Sequence, residues 1–229
     1  AGQGKLGIAN GIMATYPARG DVVFNGKPMI LGDPRAAMAS GMGFVSEDRK
    51  GVGLLLNESI ELNIAFTAMQ VGNKFLKQGG PFRFQDDDGI RKHALKMIKD
   101  LDIRCESPVQ HAGSLSGGNQ QKVCVARALT QDPVFLFVSE PTRGIDIGAK
   151  KLILDLLLKL NEEEGMTIVM TSSELAELRS ICDRIVIVCE GRVEGVLPPD
   201  ASDADFGLMM SGSRGGKKED SPERSADHG

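Results

Sequence analysis

No surplus of cations runs through this sequence. Its 27 Lys and Arg stand against 31 Asp and Glu, a net charge of −4. Nucleic-acid binding needs clustered positive charge, so no nucleic-acid partner is expected. Apolar runs are all much shorter than the roughly 20 residues a membrane-spanning helix requires, and no secretory leader is visible. The chain is therefore not expected to cross a membrane by itself, although it can dock on something that does. Cysteine is scarce: Cys105, Cys124, Cys182 and Cys189 show no CxxC spacing, and three of them sit in apolar stretches. That usage fits a reduced, cytosolic compartment. The three histidines, His93 and His111 among them, are too scattered for a metal site. An initiator methionine is missing too. The chain opens AGQGK, within what reads as a motif, and is expected to be a fragment of something longer.

What is present is an ordinary globular composition, 41% hydrophobic and 25% charged over 229 residues, enough for one or two domains. Residues 115–121, LSGGNQQ, carry the clearest chemistry. Gly117 and Gly118 let backbone N–H groups approach a polyanion with no Cβ in the way. Ser116 adds a hydroxyl donor, and a helix expected to start near Asn119 points its positive end at a phosphate. At the other end of the chain's first half, Gly2, Gly4 and Lys5 match the second part of a GxxxxGK[ST] phosphate loop, with Gln3 between them and Leu6 where a hydroxyl normally ligates Mg²⁺. Residues 134–138, VFLFV, read as a strand buried on both faces. It runs directly into Ser139-Glu140-Pro141-Thr142, which places Glu140 at a strand's carboxyl end, where parallel sheets gather their working groups.

The remaining elements follow from local signals. Residues 21–24 and 27–31 read as strands around an Asn25-Gly26 turn, and residues 33–40 as a helix capped by Asp33 with Pro34 first. Residues 42–45 read as a strand and 46–53 as a charged turn. A helix is expected over 58–70, followed by a Gly/Phe-rich segment over 71–84. Asp86, Asp87 and Asp88 read as favourable first-turn charges for a helix over 90–101, with Ala94, Leu95, Ile98 and Leu101 on one face. A helix over 120–130 stops near Asp132-Pro133, and one over 148–164 ends at Gly165. Residues 167–171 read as another buried strand, 175–182 as a helix, and 185–189 and 193–197 as strands around Gly191-Arg192. From residue 211 the chain carries no apolar periodicity and is expected to be disordered.

LSGGNQQK, SEPTRGID and TSSELAEL, at their spacings, resemble ATP-binding cassettes of ABC transporters; with SEDRK over 46–50 they resemble the second cassette of tandem importers for simple sugars or nucleosides, the ribose and galactose class. The resemblance covers residues 1 to about 211. It implies an α/β fold of the P-loop NTPase type, a mostly parallel sheet flanked by helices with an inserted helical subdomain. Residues 1–56 would be the first part of the nucleotide-binding core, 57–118 the helical subdomain, 119–210 the rest of the core and 211–229 a tail. The core's first strands, and an aromatic that stacks on adenine, would lie upstream.

By the same resemblance the signature, Leu115 to Gln120 and onward, presses on ATP held by a partner cassette, and Asp146 lies in the D-loop that touches that partner. Glu140 is the catalytic residue. Ser139 stands where the family has the aspartate that holds Mg²⁺, and Ser173 where it often has a histidine on the γ-phosphate. With Leu6 these departures imply a degenerate site that holds ATP with weak or absent Mg²⁺, beside an intact lent signature. The implied partners are a second cassette fused upstream, transmembrane permease subunits and, indirectly, an external substrate-binding protein. The implied place is the cytoplasmic face of the inner membrane. Three rivals have different signatures: a fully hydrolytic subunit is favoured by Glu140 and opposed by Leu6 and Ser139. A soluble cassette acting on nucleic acid is opposed by the acidic balance and the lack of a long heptad insertion. A non-enzymatic docking module would bind no nucleotide.

Overall fold

The structure, a computed structural model of the protein, describes residues 5–79 and 82–212. The chain enters through α1 (Lys5–Ile12) and makes a small hairpin of β1 (Val23–Phe24) and β2 (Lys27–Pro28). Asn25 and Gly26 turn it with φ of 50° and 74°, the left-handed pair a two-residue turn demands. Both strands are shorter than expected. One further bond lies beyond them, Met29 N–H donating to Val22 O at 2.8 Å. α2 (Pro34–Ala39) starts as read, with Asp33 Oδ1 accepting from the N–H groups of Arg35 and Ala36. β3 (Met42–Val45) then leads to a π-helical turn at Arg49–Gly53.

α3 (Ile60–Gly72) is capped by the Ser59 hydroxyl, which accepts from Leu62 N–H. The Gly/Phe-rich segment, to which the sequence reading assigns no element, pairs β4 (Leu76–Gly79) with β5 (Phe82–Gln85) antiparallel. α4 (Asp87–Asp100) begins on Asp86, whose carboxylate accepts from Gly89 N–H, and carries Asp87 and Asp88 in its first turn. Its buried side is Ile90, Ala94 and Met97, with Leu101 just beyond. Leu95, assigned to that face, is 50% exposed. It sits one position off the stripe that spacings of three and four define. A 3-10 turn at Ala112–Ser114 precedes α5 (Gly117–Leu129), which starts two residues before the expected Asn119 because Ser116 already occupies the cap position. β6 (Phe135–Ser139), α6 (Ile147–Glu162), β7 (Thr167–Thr171), α7 (Leu175–Ile181), β8 (Ile185–Cys189), β9 (Arg192–Leu197) and α8 (Asp203–Met210) complete the order.

β3, β6 and β7 form a parallel sheet with β6 in the middle. The central place explains the continuous apolar run. Leu136 and Val138 enter the main core with residues of α3, α4, α5 and α6, while Phe135 and Phe137 face α1, α2 and Met42 on the other side. Fully buried side chains such as Ile60, Ile64, Leu136 and Leu157 each contribute about 1.5–3 kcal/mol. β7, read as a second buried strand, is the outer one; it pairs only with β6 among the described residues, and Val169 is 41% exposed. A groove of about 660 Å³ separates β7 from β8, with Leu157, Leu178 and Ile181 against it. β8 and β9 form an antiparallel hairpin turned by Glu190 and Gly191, and with α8 they enclose a separate core of Ile185, Ile187, Phe206 and Met209.

Cys124, on the buried side of α5, has its thiol pushed up to about 12 by burial. Iodoacetamide at pH 8 is therefore expected to leave Cys124 unmodified in the folded chain and to label it in urea, read by peptide mass spectrometry. Labelling of folded chain at the rate seen in urea would contradict this packing.

Candidate functional site

Parallel sheets gather binding groups at the carboxyl ends of their strands. Here Ser46 follows β3, Ser139 ends β6 with Glu140 next, and Thr171 ends β7 ahead of Ser172 and Ser173. Ser139 and Thr171 are opposite each other in register. Among the described residues neither hydroxyl has a hydrogen-bond partner, and Ser139 is 0% exposed. Glu140 is 8% exposed and has φ 46°. That left-handed backbone costs about 1 kcal/mol or more for a residue with a Cβ. Pro141 behind it already disfavours the right-handed alternative. The conformation is held from β7: Glu140 N–H donates to Thr171 O at 2.8 Å, and Glu140 Oε2 accepts from Ser173 N–H at 3.1 Å and Ser173 Oγ–H at 2.9 Å.

A second carboxylate lies behind the first. Glu177, in the first turn of α7, is 7% exposed. Its oxygens accept from Thr142 Oγ1 at 2.7 Å and Ser172 Oγ at 2.8 Å, and Lys150 Nζ of α6 lies 3.2 Å away while also pairing with Glu174. One side chain thus joins the loop after β6, the loop after β7, and two helices. The sequence reading missed it. Its only trace in the sequence is an acid on the inward side of an otherwise apolar helix face.

The signature forms a different feature. Leu115 is buried in the main core and anchors the turn. Ser116 is exposed at the N-cap of the 13-residue α5, and its oxygen accepts from Asn119 Nδ2 at 3.0 Å, which leaves its O–H proton free to donate outward. Asn119 Oδ1 accepts from Arg104 N–H. Gln120 turns inward, and its amide donates to the carbonyls of Leu115, Ala112 and Gly113. The glycines are needed within the chain as well. A Cβ on Gly117 would lie 3.1 Å from Ile145 Cγ2, and one on Gly118 only 2.7 Å from Ala149 Cβ. Asp146 caps α6, its Oδ1 accepting from Ala149 N–H at 2.9 Å.

Of the sequence-derived site, the structure brings Ser139, Glu140 and Ser173 together at the strand ends, and Ser116, Gly117 and Gly118 beside the start of α6. Gly2, Gln3 and Gly4 lie outside the described residues; Lys5 and Leu6 open α1. Among the described residues no three of His, Cys, Asp and Glu gather as a metal-holding group, and no helix is long and apolar enough to cross a membrane.

Comparison with known proteins gives concordant matches. A ribose import ATP-binding protein, RbsA of Bacillus licheniformis, is 37% identical over 217 residues, 94% of this chain and 42% of its own length. The xylose import ATP-binding protein XylG of Thermoanaerobacter pseudethanolicus is 36% identical over 94% of this chain and 41% of its own length. The chain thus spans about two fifths of the length of the curated relatives it matches. Among solved structures, the post-hydrolysis dimer of the ATP-binding cassette MJ0796 bound to ADP and Pi aligns with a TM-score of 0.68 and 26% identity, over 88% of this chain and 83% of that one. The family model described as ABC transporter matches residues 1–143, well over half of the chain. The chain belongs to that family.

Proposed function

We propose that this chain is the ATP-binding part of an importer for simple sugars or nucleosides, and that it serves as a second cassette, lending its signature to a partner's ATP site while its own metal site is degenerate. The observation that carries this reading is the contrast between two features of the molecule. At one, an exposed Ser116 hydroxyl and the first turn of α5 form a donor set suited to a phosphate outside this chain. At the other, the ends of β6 and β7 offer the Glu140 carboxylate beside the enclosed neutral hydroxyls of Ser139 and Thr171, while the second acid there, Glu177, is taken up by Thr142, Ser172 and Lys150. Mg²⁺ prefers several hard oxygen ligands, carboxylates among them, and these residues do not fit a metal held by the protein. Lys5 with Gly2 and Gly4 supplies the phosphate grip. Under this reading the 57–118 segment is the helical subdomain that meets permease subunits. The chain sits at the cytoplasmic membrane face, and an external binding protein delivers the cargo.

The test is Ser116→Arg in the assembled pair of cassettes with its permease. Turnover of ATP is expected to fall by about a hundredfold or more, the scale of losing a donor aimed at developing phosphate charge. Unchanged turnover would falsify the lent-signature reading. A second reading, full hydrolysis at this chain's own site, is favoured by the two donors that hold Glu140. Equilibrium binding of a labelled ATP analogue separates the two: affinity indifferent to Mg²⁺ supports the degenerate site, and tight Mg²⁺-dependent binding supports hydrolysis.

A further inference from the structure

Three motifs that are distant in sequence meet at one guanidinium. Arg49 Nη1 lies 3.5 Å from Gly117 O, the first residue of α5, and Nη2 lies 3.4 Å from Gly144 O, in the loop that leads to α6. Gly144 has φ 69°, and a Cβ on it or on Gly117 would come within 3.5 and 3.7 Å of the same Nη2. The base from which Arg49 reaches is itself fixed. Asp48 caps the π-helical turn by accepting from Gly51 N–H, its own N–H donates to Ser46 Oγ, and its carbonyl accepts from both Val52 and Gly53. At the far end, Gly53 O accepts from Arg127 Nη1 at 2.6 Å, and Arg127 Nε donates to Thr67 of α3. The charged run of residues 46–50 is thus more than a solvated turn. It is a braced arm with a forked end.

We infer that Arg49 is a positioning residue for the signature: it sets the spacing between the turn at Ser116-Gly117 and the loop at Gly144-Ile145, so that both present one rigid face to a partner cassette. This rests on the reading that the signature is lent. The chemistry suits arginine alone, because a planar fork donates to two carbonyls at once while an ammonium serves as one point charge. Ordering a donor set before it meets its phosphate improves the reacting state more than the ground state, since no reorganisation remains to be done at that moment.

The experiment compares Arg49→Met and Arg49→Lys with Ser116→Arg in the assembled transporter, measuring kcat and KM for ATP together with thermal unfolding of the purified complexes. Arg49→Met is expected to lower kcat about tenfold with KM within about twofold, and Arg49→Lys to recover only part of the loss. If Ser116→Arg removes turnover while both Arg49 variants keep the wild-type kcat, the role of Arg49 is overturned and the lent signature stands. If Ser116→Arg leaves turnover intact, both fall. If Arg49→Met and Arg49→Lys lower kcat only in proportion to lost folded complex, the arginine is structural and the inference is overturned.

Discussion

Gly118→Ala lowers the unfolding free energy by about 2 kcal/mol, measured by urea denaturation. Helix propensity alone points the other way, since alanine inside a helix is favoured over glycine by about 1 kcal/mol. The sign reverses because the new methyl would stand 2.7 Å from Ala149 Cβ, and Ala149 belongs to the first turn of α6, which Asp146 caps. Neither partner is a flexible side-chain end that can swing away, so the start of α5 must move off α6. Adding Ala149→Gly to the same chain clears the contact and should recover more than half of the loss, a coupling of the kind neighbouring sites show. A single mutant that is as stable as wild type would mean that α5 and α6 are not packed this closely. Gly118 thus answers to the interior before it answers to any phosphate.

Glu177→Ala removes about 3 kcal/mol of stability, and Glu177→Gln about 1 kcal/mol. The alanine variant strands the Thr142 hydroxyl, turns the Ser172 hydroxyl back on Glu174 O at 3.5 Å, and leaves Lys150 with only Glu174. Each hydroxyl costs about 1 kcal/mol when its acceptor goes, and the buried side of the Lys150 pair adds the remainder. The glutamine keeps an acceptor oxygen and forfeits the ion pair, so the ratio of the two losses apportions the network. Equal losses would show that the ion pair with Lys150 outweighs both hydroxyls. Because Ser172 precedes Ser173, and Thr142 follows Glu140 by two residues, the same change is expected to loosen the hold on Glu140.

Signals carried by neighbours in sequence were readable. Asp33 with Pro34, the Asn25-Gly26 turn and the apolar run of β6 each depend on contacts within a few residues, and each lies where expected, while Asp86, read as a first-turn charge, is the cap of α4. The β4–β5 hairpin was not readable, because β5 alternates Phe82 and Phe84 with Arg83 and Gln85 while all four stay exposed, so no buried face imprints a pattern. β7 was misjudged for a related reason: Thr167–Thr171 is apolar enough for a central strand but lies outermost, and composition does not report position in a sheet. At the candidate site, the residues that bond near their own strand ends were found. Glu177 and Arg49 were not assigned a role, since their partners lie 35, 68 and 95 residues away. The two signature glycines were identified, yet their tightest constraint, Ala149, was invisible without the helix pairing.

The core that β8, β9 and α8 enclose is separate from the one that holds the sheet, and its partly buried neighbours Leu175, Leu178 and Cys182 all lie on or beside α7. A hairpin core joined to the rest through one short helix need not melt together with it. The C-terminal hairpin is expected to open and close while β3, β6 and β7 keep their pairing, and native-state hydrogen exchange would then resolve two blocks with their own free energies. A force applied at the C-terminal end would therefore be spent on the small block first, and the strand ends that hold Glu140 would feel it only through α7.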